Sequence, residues 1–332
     1  MKLTVRNCNE KYILSFGNVM QLCGCNMPVK TIILDSICKH FSSEKYKEYE
    51  EKYIDNIEID GEIPGRKQWE SYRINSKESI INCIQLNKSS ILGKCIKEYS
   101  AGFDCQNELL QIDEILLRIF DRLNKMILSD GLIELQYTQE DLFGMIQQTT
   151  VRTTDGRDIH ELEIEDLLDV FLEIIVKQQE ILPEKRLYIF ENIDHLVSKQ
   201  LYESFVERCA KLTRESSLWF IFSTSLDGFV YLAEDYFENI NIIGDDIYSM
   251  PDFERIVAFI KEYYPVENKW NGEDIKKFLP RLIQNIAQKD VLLQPEELVL
   301  LKLINESNGI KENWENAPKT AEIQCLKAVS VL

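Results

Sequence analysis

Two short runs, Arg186 to Glu191 (RLYIFE) and Leu218 to Ser223 (LWFIFS), constrain the fold more than anything else in the chain. Neither alternates between apolar and polar residues, so each reads as a strand buried on both faces. Between them lies a helical stretch, Val197 to Arg214, and a third such strand, Val19 to Cys23 (VMQLC), occurs far upstream. Strands of this kind joined through helices predict a mostly parallel α/β sheet. Asn239 to Ile243 supplies a further short strand, and Pro251 to Tyr264 a helix opened by proline.

The flanking segments fill in the rest. Leu3 and Val5, then Tyr12, Leu14 and Phe16, predict two short strands around a turn at residues 7–11, and Asn56 to Gly65 a strand or hairpin after a charged helical stretch, Glu44 to Tyr53. Ser89 to Asp130 is helix-rich, with Ile112, Ile115, Leu116, Ile119, Phe120 and Leu123 in one stripe. A short strand is expected at Ile133 to Tyr137, a polar loop at Gln147 to Asp158, and an amphipathic helix from Ile164 to Ile181, stopped by Pro183. Beyond Pro265 the pattern is all-helical: Asp274 to Lys289, then Pro295 to Glu306. The expected domains are therefore an α/β head of residues 1–88 and 131–264, an inserted helical lid of residues 89–130, and a helical C-terminal extension of residues 265–332.

Composition narrows the class. In 332 residues, 45% are apolar, enough for a sizeable core, and no apolar run reaches the roughly 18 residues of a membrane span. The nine cysteines are odd in number and lack CxxC spacing, and with no leader-like stretch ahead of them the expectation is reduced thiols in a soluble cytoplasmic protein. A net charge of −18 weighs against a nucleic-acid coat, although a basic channel can sit inside an acidic exterior.

The strand VMQLC runs into Gly24-Cys25-Asn26-Met27-Pro28-Val29-Lys30-Thr31, and a helical pattern follows. This is the frame of a phosphate-binding loop, G-x-x-x-x-G-K-[ST], in the strand–loop–helix setting such a loop requires. Gly24, Lys30 and Thr31 are in place. Val29 stands where the second glycine belongs, and Pro28 removes an N–H donor. Glu191 and Asn192 fall where a metal-binding aspartate and a water-positioning glutamate are expected, and Asn192 cannot serve as a base. Ser223, Thr224 and Ser225 end the next strand, where a transporter-type ATPase carries a γ-phosphate-sensing histidine, and no LSGGQ-type signature occurs. Three elements in the right order predict a degenerate P-loop NTPase-like (ABC-ATPase-like) head; three losses predict no hydrolysis and no required nucleotide.

The strings GNVMQLCGCNMPVKT, RLYIFENIDHLVSKQLYESFVERC, SLWFIFSTS and INIIGDDIY together resemble the accessory spacer-acquisition protein of type II-A CRISPR systems, in its long variant. The resemblance spans residues 1–264, with 265–332 corresponding to the long variant's extension. It implies a ring-shaped homotetramer that threads double-stranded DNA, binds DNA ends without reading sequence, holds calcium, and acts with the integrase pair and the RNA-guided effector nuclease.

Residue by residue, Glu191, Asp194, Asp245 and Asp246 end strands and are the candidate calcium ligands, each also readable as a solvated carboxylate. Arg152 and Arg157 on the polar loop, with Lys199, Arg208, Lys211 and Arg214 around one helix, are the candidate phosphate contacts, though Glu203, Glu207 and Glu215 on that helix fit a plain solvated face equally well. Arg66, Lys67 and Arg73 around Trp69 and Tyr72 read as a surface loop with a packed tryptophan. No Ser-His-Asp or zinc spacing occurs. A divergent ATPase and a protein-interaction scaffold without DNA binding remain as alternatives.

Overall fold

The computed structural model describes residues 1–7, 10–42, 45–127, 134–136, 142–266, 269–288, 291–310 and 321–328. In chain order the elements are β1 (Lys2–Asn7), β2 (Glu10–Ser15), β3 (Val19–Cys23), α1 (Met27–His40), β4 (Ile57–Ile59), β5 (Glu70–Ile74), α2 (Lys77–Ile84), α3 (Ile91–Ala101), α4 (Gln106–Ile127), α5 (Leu142–Ile146) and α6 (Ile164–Ile181). Then follow β6 (Arg186–Glu191), α7 (Lys199–Glu215), β7 (Leu218–Ser223), β8 (Ile240–Ile243), β9 (Ile247–Ser249), α8 (Phe253–Tyr263), α9 (Gly272–Ile283), α10 (Pro295–Ser307) and α11 (Ala321–Lys327).

Six strands form the main sheet in the order β5-β6-β7-β3-β8-β9. All neighbours are parallel except β9, which turns back on β8 through residues 244–246. The register is set by apolar runs: every residue of β3 is buried, as are Arg186 to Phe190 of β6. A second, antiparallel sheet has the order β2-β1-β4.

The chain divides into two compact units, Met1–Ser76 with Glu184–Leu332, and Lys77–Pro183. The second contains α2 to α6, in which α2 and α3 both pack on α6. These bounds differ from the expected insertion of residues 89–130. The apolar faces of α2 and α6, with Ile80, Ile81, Leu168 and Phe171 buried, belong to the same packing as α3, so the unit extends to both ends of that helix set. The expected strand from Ile133 to Tyr137 lies partly outside the described residues, and residues 134–136 have no regular structure.

Residues 265–332 do not separate from the first unit. Ile275, Leu279, Leu282 and Ile283 of α9 and Val299, Leu300, Leu301, Leu303 and Ile304 of α10 share one core with Cys23, Ile240 and Ile242 of the main sheet and Phe253, Ile256 and Ile260 of α8. A second core joins the small sheet, α1 and the sheet side chains Met20, Leu22, Leu187, Ile189, Ile221 and Ile243, and includes an aromatic group of Phe16, Phe41, Trp69 and Trp219. Trp69 is 4% exposed and β5 is a sheet strand, so the segment expected as a surface loop is structural. Its polar residues concealed it: an edge strand presents little apolar pattern.

Candidate functional site

The C-terminal ends of β3, β6 and β7 meet the start of α1, which is where open α/β sheets bind ligands. At the loop, Gly24 has φ +89°, and a Cβ there would come within 2.5 Å of the Ile243 carbonyl. Glycine is therefore required by the neighbouring strand. Asn26 caps α1, its Oδ1 accepting from the Val29 amide at 3.2 Å, while its Nδ2 donates to the Gly244 carbonyl at 2.9 Å. Asparagine before proline at a helix start is a legible capping signature that concerns folding rather than ligand binding.

Five of the loop's amides are spent inside the protein. The Asn26 amide donates to Ile243 O, that of Met27 to Cys25 O, and that of Lys30 to Asn26 O. Val29 donates to the Asn26 cap and Gly24 to Oε1 of Gln284, at 2.9 Å. Pro28 has no N–H. The Val29 side chain packs against the core instead of leaving room over the loop. Thr31 Oγ1 donates to the Met27 carbonyl one turn back, at 3.0 Å.

Lys30 is 1% exposed and its ammonium donates to the Thr224 carbonyl at 2.9 Å. Burial pushes its pKa below the usual lysine value, against the opposing pull of Cys23 and Asp194. Burial likewise raises the Cys23 thiol to about 12. Asp194, also buried, accepts from the amide and hydroxyl of Ser225, and Gly228 packs so closely that a Cβ would strike its carboxylate. Thus Lys30 and Asp194 tie α1 and the turn after β6 to the end of β7.

Glu191 is held by Arg73 of β5, with Nε to Oε2 at 2.8 Å and Nη2 to Oε1 at 3.0 Å, and Arg73 also reaches Asp35 of α1. The two acids raise the guanidinium pKa above its ordinary value against the effect of burial. Both carboxylate oxygens of Glu191 are thus engaged by the Arg73 fork. Asp245 and Asp246 are exposed on the turn between β8 and β9. Among the described residues, no three His, Cys, Asp or Glu side chains form a group able to hold a metal ion, so the four acidic candidates are not brought together as calcium ligands. Glu191 and Asp194 follow β6 and are committed to internal partners, whereas Asp245 and Asp246 follow β8.

The basic candidates are similarly dispersed. Arg152 and Arg157 belong to the second unit, where Arg152 donates to the Gly156 carbonyl at 3.4 Å and Arg157 pairs with Asp155 at 2.8 Å. In the first unit Lys199, Arg208, Lys211 and Arg214 are exposed on α7. Lys199 faces Glu203 at 3.7 Å, Lys211 pairs with Glu207 at 2.8 Å and Arg214 with Asp235 at 2.7 Å. Exposed pairs of this kind are screened and easily exchanged. Gln284 is not marked by any local sequence pattern; Thr224 is legible only as the residue at the end of β7 where a sensing histidine is missing, and Arg73 only as part of a basic, aromatic-flanked segment, not as the partner of Glu191.

These features define a mixed α/β protein with a mostly parallel sheet whose ligand edge is closed by its own side chains. The solved structure of Stu0660 of Streptococcus thermophilus shares this fold: TM-score 0.85 at 20% identity, covering 98% of this chain and 99% of that one. An SMC head domain from Thermotoga maritima overlaps 75% of this chain and 98% of its own at 12% identity, but its TM-score of 0.35 supports no argument. No protein-family model matches the sequence, and no curated protein matches it. Among the described residues no helix is long and apolar enough to cross a membrane.

Proposed function

We propose that this chain is a non-catalytic scaffold on a degenerate P-loop head, binding double-stranded DNA ends as a homotetrameric ring during CRISPR spacer acquisition, as a long-variant member of the Csn-two family. The observation that carries the non-catalytic part is the Lys30 ammonium, buried and turned onto the Thr224 carbonyl within a loop whose amides bond to the protein itself. With the Gly24, Asn26, Met27, Val29 and Lys30 amides bonded internally and Pro28 lacking an N–H, the loop has lost most of the donors that would stabilise a transferring phosphoryl group. The DNA part rests on the sequence resemblance and is compatible with the fold shared with Stu0660.

Assembly from copies of this chain draws support from α4. This 22-residue helix has no buried residue among its described side chains, and Leu110, Ile115, Leu117 and Met126 are exposed. Its first half carries Glu108, Asp113 and Glu114 and no cation, its second Arg118, Arg122 and Lys125 with one acid, Asp121, paired to Lys125 at 2.6 Å. Two copies packed antiparallel would place unlike charges opposite each other. The reading assigns no ligand set to calcium.

The deciding experiment compares linear and covalently closed circular duplexes of one sequence in a salt-stepped gel shift. The expected result is binding to linear DNA that weakens steeply with salt, ignores sequence, and is poorly competed by the circle. Equal competition by the circle would overturn ring threading. Turnover of ATP that is lost in Lys30→Ala would establish the divergent-ATPase reading instead.

A further inference from the structure

We propose that Gln284, just after α9, is a built-in stand-in for the phosphate group that a loop of this spacing is shaped to hold, so that the protein supplies its own ligand. The geometry is specific to that place. The side-chain Oε1 of Gln284 accepts from the Gly24 amide at 2.9 Å, the bond a phosphate oxygen would make. Its Nε2 donates to the Gly228 carbonyl at 3.0 Å and to Thr224 Oγ1 at 3.4 Å. Gln284 is 7% exposed and Thr224 is fully buried.

A carboxamide suits this position better than an anion for a chemical reason. A phosphate only accepts, whereas the site also presents the Gly228 carbonyl, which needs a donor. One neutral amide meets both demands and brings no charge into the interior. Glu191 has an internal cationic partner as well, because the Arg73 guanidinium engages both of its carboxylate oxygens. The loop therefore owes its closed form to a residue 260 positions away, on the helical segment that follows the sheet. This inference concerns the loop alone and stands whether or not the chain binds DNA.

The test uses hydrogen exchange of the full-length protein, with pyrophosphate as the probe. In Gln284→Ala the peptide covering residues 24–31 should exchange about tenfold faster, the size expected for one lost hydrogen bond, while the peptide covering residues 186–191 stays unchanged. Asn285→Ala, whose side chain bonds only its own helix turn at Arg281, is the control and should leave the loop as in the wild type. Pyrophosphate should restore protection in Gln284→Ala, fail to do so in Gln284→Ala with Lys30→Ala, and leave the wild type unaffected. Unchanged loop exchange in the folded variant, or faster exchange that pyrophosphate does not slow, would overturn the proposal. So would pyrophosphate protection of the wild-type loop. Should Gln284→Ala fail to fold, Gln284→Met keeps the volume and removes the acceptor for the Gly24 amide: its loop should also exchange faster and be slowed by pyrophosphate, and a loop that stays protected would count against the stand-in.

Discussion

At the scale of single residues, titration separates what is buried from what is merely nearby. Lys30 has a folded-state pKa below the ordinary 10.5, with burial the main cause. Between that lowered value and 10.5 the unfolded chain holds a proton that the folded chain has released, so stability rises with pH in this window. The wild type should gain unfolding free energy relative to Lys30→Met as pH climbs toward 10.5, read from urea melts at stepped pH; parallel curves would show that the ammonium is solvated. Cys23 acts in the opposite sense. Its thiol, raised from 9.0 to about 12, stays protonated in the fold, so its contribution is complete below 9.0 and is lost as pH rises toward 12. Thiol chemistry follows the same division. Cys25 is exposed on the loop, while Cys23 and Cys209 are buried with raised pKa values. An alkylating reagent at pH 8 should label Cys25 and spare the other two in the native protein, as followed by mass spectrometry of peptides. Arg73→Ala should cost about 2 kcal/mol, because Glu191 and Asp35 lose a charge-assisted partner. Lysine should restore little of it, lacking the planar fork.

At the scale of elements, the legible parts of the sequence were those with an unbroken pattern. The runs RLYIFE, LWFIFS and VMQLC are strands with the bounds their apolar residues predict, and Ile164–Ile181 is a helix with the bounds set by its stripe and Pro183. The strand β5 was not legible, because Glu70, Ser71 and Arg73 look polar until Arg73 is seen to point at Glu191 and Trp69 to enter the aromatic core. The degeneracy of the loop could be read at Val29 and Pro28. Its closure could not, since Gln284 is one glutamine in a helical tail and only the three-dimensional path brings it to Gly24. Two expectations belong at this scale. Trp69→Ala should destabilise by about 3–5 kcal/mol through the cavity left among Phe16, Phe41 and Trp219, visible as a lowered urea midpoint. Leu117→Arg on α4 should lower the oligomer order seen by light scattering while leaving the melting temperature near that of the wild type, since Leu117 is exposed in the single chain.

For the whole molecule, the C-terminal helices are part of the first unit's core and not an appendage. Removing residues 265–332 would uncover Ile240, Ile242, Ile256 and Ile260, which α9 and α10 cover. A chain ending at residue 264 should therefore aggregate on expression rather than yield a soluble head, which a solubility comparison with the full-length protein would show. The bond from Gly24 to Gln284 has a further meaning for the birth of the protein. A ribosome making this chain finishes the loop's glycine early and the glutamine that closes it some 260 residues later. Until α9 is complete the Gly24 amide has no protein partner, although the partners of its neighbours have already been made. Folding that depends on so distant a closure is slow, and a pause or premature stop before α9 would leave a nascent sheet with its edge unsealed, a natural target for chaperones and proteases.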